Sequence, residues 1–187
     1  MDKKGVSIMI GYVLLITAAI VMGAIVYQWL RTYVPIEAPA CSDEISVFMK
    51  RYSCDPATGE LTITIKNNGK FNLAGYFIHV STDPTQEIAT IDLSEYVTTG
   101  GISAGGSLIF SAGSTNSLRP NKEFVSVFDL NGDVLDGGSG LVQIYLIEII
   151  PVRFQEIRNK LTFISCGNAK IREPIDDSTC IFTDLDD

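Results

Sequence analysis

The chain has little of what most catalytic and metal sites require. It holds one histidine, His79, in 187 residues. A lone histidine with no cysteine nearby gives poor support to zinc ligation and leaves a nucleophilic triad without its serine elbow. The four cysteines include no Cys-x-x-Cys pair, the spacing that a zinc knuckle or a thioredoxin-like site would use. No Asn-x-Ser/Thr sequon, internal repeat or basic cluster is present. Charge is sparse as well, at 19% against 46% hydrophobic. Lys3, Lys4 and Arg31 are the only bases before residue 32 and Asp2 is the only acid, so the remainder carries 11 bases, 21 acids and a net charge of −10. An outer region of that sign repels phosphate backbones and argues against nucleic-acid binding. Carboxylates are plentiful, but no spacing singles out a glycosidase pair. The sequence shows no active site, and neither enzymatic activity nor a cofactor is expected.

One long run has no charge at all. From Val6 to Leu30, 25 consecutive residues lack Asp, Glu, Lys, Arg, His and Pro. As a helix this spans roughly 37 Å, enough for a bilayer core of about 30 Å. Lys3 and Lys4 ahead of it hold the N-terminus in the cytoplasm, and Tyr27, Trp29 and Tyr33 mark the far boundary. The run is too long for a cleaved secretory leader. "APAC" at 38–41 lies well beyond it and lacks the aliphatic residue of a lipoprotein site. Gly11, Leu15, Ala19 and Gly23 recur every four residues, a spacing that lets helix backbones approach closely.

"KKGVSIMIG", Lys3 to Gly11, resembles the class III signal of type IV pilin-like proteins, and its archaeal branch in particular. There a basic leader ending in glycine precedes Val–Ser–Pro–Val–Ile–Gly. Here Ile8 replaces the proline and Met9 the valine, and Ile10 stands where many bacterial pilins carry an acid. The resemblance covers about 30 residues. It implies that a prepilin peptidase recognises Lys3, Lys4, Gly5 and Val6, removes residues 1–5 and leaves Val6 as the mature N-terminus. It also implies a stem helix over 6–34 that waits in the membrane and is assembled into a filament core by membrane machinery.

Pro35 and Pro39 bracket a semi-rigid hinge over 35–40. Beyond it the hydrophobic period falls to two. "LTITIK" alternates Leu61, Ile63 and Ile65 with Thr62, Thr64 and Lys66, as a strand with one buried face does. "NNGK" (67–70) predicts a hairpin into "FNLAGYFIHV", and Asn131–Gly132 predicts another within "FVSVFDLNGDVLD". Further strands are expected at 44–53, 87–93, 107–112, 141–150 (ended by Pro151), 161–166 and 169–175. The stretches 97–107 and 112–121 read as exposed flexible loops. The aromatics sit mostly in strands, where core packing is the default. About eight short strands over 41–183 imply a β-sandwich, with an acidic solvated tail at 184–187.

Cys41, Cys54, Cys166 and Cys180 all follow the apolar run, and four cysteines in an exported β-domain read as two disulfides. An extended strand over 44–53 would hold Cys41 and Cys54 about 40 Å apart, beyond the roughly 7 Å that a bridge tolerates. Two pairings stay open: 41–166 with 54–180, and 41–180 with 54–166. "DLNGDVLDG" gathers Asp129, Asn131, Asp133 and Asp136 as a weak calcium candidate, but Val134 stands where a calcium loop wants glycine.

The expected architecture is a lollipop: a long hydrophobic N-terminal helix, a hinge and an all-β, sandwich-like domain. The expected function is that of a structural subunit, major or minor, of an archaeal type IV pilus-like filament. It would be membrane-anchored first and exposed at the cell surface after assembly, with the β-domain outside for adhesion. The alternative is a signal-anchored extracytoplasmic binding module, or a stator-like envelope protein, that never polymerises. An anchored enzyme is a distant third.

Overall fold

The computed structural model describes residues 3–33, 41–131, 135, 141–157, 159–175 and 180–183, with the backbone alone at 3–8, 33, 141, 142 and 183. The chain divides into two units after Ala38.

The first unit is one α-helix, α1 (Lys3–Tyr33). It begins three residues before the expected Val6, because nothing at residues 3–5 opposes helical backbone as proline would. It stops ahead of Pro35, whose ring disfavours a helical residue before it. Two of the hydroxyls inside it are satisfied locally. Thr17 Oγ1 donates to the Val13 and Leu14 carbonyls at 3.0 Å, and Thr32 Oγ1 donates to the Gln28 carbonyl at 3.0 Å. Neither group would enter lipid unpaired.

The second unit is a β-sandwich-like domain of short antiparallel strands, more numerous than the eight expected. They are β1 (Val47–Asp55), β2 (Glu60–Asn67), β3 (Gly75–Ser81), β4 (Ile91–Asp92), β5 (Val97–Thr99), β6 (Ile102–Ala104) and β7 (Ser107–Ile109). There follow β8 (Glu123–Asp129), β9 (Leu141–Gln143), β10 (Leu146–Ile157), β11 (Lys160–Ser165), β12 (Ile171–Pro174) and β13 (Ile181–Thr183). One sheet has the order β1-β2-β8-β5; the other runs β11-β10-β3-β7-β6, with β12 on β10 and β4 on β3. Strands β13 and β9 form a separate pair. Leu61, Ile63 and Ile65 of β2 face Tyr76, Ile78 and Val80 of β3 in one buried core.

Several local expectations are overturned by tertiary pairing. "NNGK" makes no hairpin, since β2 pairs with β1 and β8 while β3 pairs with β10, β7 and β4. The segment carries the chain from one sheet to the other, and Asn67 holds it. Its buried Nδ2 donates to the carbonyls of Phe71 (2.8 Å) and Leu118 (3.0 Å), and its Oδ1 accepts from the Gly69 amide (3.0 Å). Nor does β8 lead a second hairpin: β2 and β5 take both of its edges at Phe128. The expected tip at Gly132, and with it Asp133, Asp136, the hinge 35–40 and the tail 184–187, lies outside the described residues.

The stretch 97–107 is no loop. It forms β5, β6 and the start of β7, with Gly105 (φ 58°) and Gly106 (φ 76°) as a two-residue turn that β-carbon sterics deny to most residues. The 112–121 segment is pinned at Leu118, which bridges to Leu73, and at Asn116. Pro151 does not end its strand; β10 runs through it to Ile157. On that flank β12 covers β10 up to Ile149 and β11 takes over from Val152. Opposite Pro151 on that flank lies Cys166, whose amide donates to the Pro151 carbonyl (2.8 Å) and whose own carbonyl accepts from the Ala169 amide (2.9 Å), so no acceptor is left waiting for the missing proline N–H.

Disulfides join Cys41 to Cys166 (Cα–Cα 5.1 Å) and Cys54 to Cys180 (5.0 Å). This is one of the two pairings left open by the sequence, and it ties β1 and the segment before it to the C-terminal part of the domain. No cysteine is free.

Candidate functional site

Two surfaces stand out, one on each unit. The first is α1 itself. Met9–Thr32 forms 24 residues of mean hydropathy 2.5, long and apolar enough to cross a bilayer, and none of it is buried. Gly11 and Gly23 have open space where a Cβ would stand, and Leu15 and Ala19 between them are exposed. The stripe is thus exposed among the described residues. Lys3, Lys4, Gly5 and Val6 lie in the helix's first turns, so the Gly5–Val6 bond is helical.

The second surface is the outer face of the β11-β10-β3-β7-β6 sheet. Register decides which side chains point outward: the pair Ile149–Ile78 is buried in the core, so the next pair, Ile150–Phe77, faces out. The same face carries Phe154 opposite Phe163, and Ile102 opposite Ile109. Phe163 packs against Phe154 (centroids 5.2 Å) and Phe77 (6.3 Å). These rings are therefore not core, contrary to the default reading of strand aromatics. A groove of about 460 Å³ crosses the sheet here, lined chiefly by Ile102, Ile109, Ala112, Phe154 and Phe163. The outer face of the other sheet is different. Arg51 stands opposite Thr64 and Lys66 opposite Glu123, and Lys50 reaches Glu123 at 2.7 Å. That face mixes its charges with exposed Phe48 and Val125, whereas the groove face is apolar around its rings.

Beside the groove, a row of ionisable groups crosses four strands. Asp92 on β4 is opposite His79 on β3, His79 is opposite Glu148 on β10, and Glu148 is opposite Arg172 on β12. Glu148 is the buried member of this row, with Lys170 Nζ at 3.2 Å and Arg172 Nε at 3.5 Å from its Oε2. Two cations balance one desolvated carboxylate. His79 stacks on Phe77, with centroids 6.5 Å apart. Among the described residues no group of three His, Cys, Asp or Glu could hold a metal ion. Of the calcium candidates, Asn131 donates its backbone N–H to Asp129 Oδ1 (3.0 Å) and its Nδ2 to the Thr58 carbonyl (2.9 Å), while its Oδ1 has no hydrogen-bond partner among the described residues.

Sequence reasoning missed both the outer apolar face and the charged row. The row had a signal, one glutamate inside the apolar run "LIEII". The face had none, because two-residue alternation does not say which face is the core when both are apolar. Comparison with protein-family models, curated proteins and solved structures returned no match.

Proposed function

We propose that this chain is a structural subunit of an archaeal type IV pilus-like surface filament. The observation that carries the reading is the bare apolar helix Met9–Thr32, with Lys3–Lys4–Gly5–Val6 two residues ahead of it. In this reading α1 is held in the membrane until prepilin peptidase cuts after Gly5. The mature helix then exchanges lipid for copies of itself, drawn by membrane assembly machinery into a filament core. Once it has left lipid, each Å² of apolar surface hidden from water contributes about 25 cal/mol. The β-domain remains outside the cell as the contact surface, and its two disulfides suit that oxidising location.

Mass analysis of the native N-terminus, combined with electron microscopy of sheared surface fibres, tests this. A chain starting at Val6 and found in helical polymers is expected. The apolar groove favours the rival, an anchored binding module, because recognition through it needs no polymer. That rival predicts an uncut N-terminus and no fibres.

A further inference from the structure

The sheet edges are unequally protected. Strand β1 carries a register shift between Met49 and Arg51 together with Lys50, two devices that keep strand edges from pairing. Strands β5 and β6 are three residues long, and β12 is four and ends in Pro174. Strand β11 has no such device over its six residues "KLTFIS" beyond a lysine at its start. Among the described residues it pairs with β10 alone, and Leu161 and Phe163 stand 51% and 38% exposed.

Its unpaired groups can be assigned. The Cys166 amide donates to the Pro151 carbonyl at 2.8 Å. By antiparallel alternation, the backbone groups of Lys160, Thr162 and Ile164 face β10, and those of Leu161, Phe163 and Ser165 face away. We infer that this edge docks on the same edge of a second copy, antiparallel and centred on Phe163. That register sets Leu161 opposite Ser165, and each outward N–H meets an outward carbonyl.

Two further features fit a second copy. Phe163 would face its counterpart on the apolar outer face, continuing the Phe154–Phe163 contact across the junction. Lys160 would lie opposite Cys166 of the partner copy. Close to that position, the exposed Asp43 accepts from the side-chain amide of Asn168 at 3.3 Å, so each exposed lysine meets an exposed carboxylate and both pairs recur by symmetry. A two-fold contact of this kind closes on itself. It therefore joins two filaments, or two anchored copies, and does not propagate a single polar filament. One six-residue junction is weak, and an array of them is strong by multivalency.

The test uses the full chain in detergent micelles with a benzophenone amino acid in place of Ser165. Irradiation is expected to yield a covalent dimer linking position 165 to the Lys160–Thr162 stretch of the other copy. Phe163→Lys is expected to cut the yield about tenfold or more through like charges facing each other, and Phe48→Lys on β1 to leave it unchanged. Leu161→Lys serves as the second variant should Phe163→Lys not fold, as judged by its melting curve. No cross-linked dimer, or links that map to α1 or elsewhere outside β11, overturns the inference. The outcome does not depend on N-terminal processing or on filament formation.

Discussion

Tyr76 joins the two sheets through its hydroxyl, which donates to Ser126 Oγ at 2.7 Å; Ser126 in turn donates to the Gly100 carbonyl at 2.8 Å. Burial pushes the phenol well above its ordinary range, so the group stays protonated in the fold. Tyr76→Phe should cost about 1–3 kcal/mol in urea unfolding, since it leaves a buried hydroxyl short of a partner. The sign of the pH effect follows. An acid whose folded pKa is raised contributes full stability below its unfolded pKa of about 10 and loses it above. The native protein should therefore lose stability above pH ~10 more steeply than Tyr76→Phe, measured as Tm against pH. Gly100 completes the arrangement at φ 77°, where a Cβ would run into the Val125 carbonyl. Gly100→Ala should destabilise by more than about 1 kcal/mol in the same assay.

At the scale of elements, the strands most legible in the sequence were those with one polar face. β2 was found nearly to the residue because Thr62, Thr64 and Lys66 mark its outer side. Pairing was far less legible. A turn sequence such as Asn67–Lys70 reports that the chain bends; which strand lies beside β2 is decided by what covers its edges. The disulfides show the same division. Strand length excluded Cys41–Cys54, and only the fold chose between the other two pairings. Replacing Cys54 and Cys180 with serine should lower stability by about 2–5 kcal/mol, read as a fall in Tm with the β-sheet circular dichroism retained at low temperature. The Lys50–Glu123 contact across β2 holds the Glu123 carboxyl below its usual range. That contribution is present above the unfolded carboxylate pKa of about 4.3 and fades as pH falls through the lower, folded value. A carboxyl titration by NMR should show Glu123 return towards the ordinary value in Lys50→Met.

For the whole molecule, the helix and the domain pose separate problems of burial. The domain hides Leu61, Ile63, Ile65 and Ile78 in its own core; Met9–Thr32 of the helix is exposed, and is long and apolar enough to cross a membrane. Gly23→Leu keeps the span apolar, slightly raising its hydropathy, and removes a site of close backbone approach. On the filament reading, membrane insertion should be unchanged and fibres seen by electron microscopy should be lost. Fibres of normal abundance would place the packing surface elsewhere on the helix.

By itself the sequence determined the charge-free helix, the hydrophobic period of two beyond residue 44 and the impossibility of a Cys41–Cys54 bridge. Each is a local property, set by side-chain chemistry and chain geometry over a few turns or one strand. Tertiary structure alone decided the partner of each strand, the passage of β10 through Pro151, and the placement of Phe77, Phe154 and Phe163 on an outer face. Those outcomes depend on which backbone edges and apolar faces remain open once the others are filled, and distant segments of the chain compete for them.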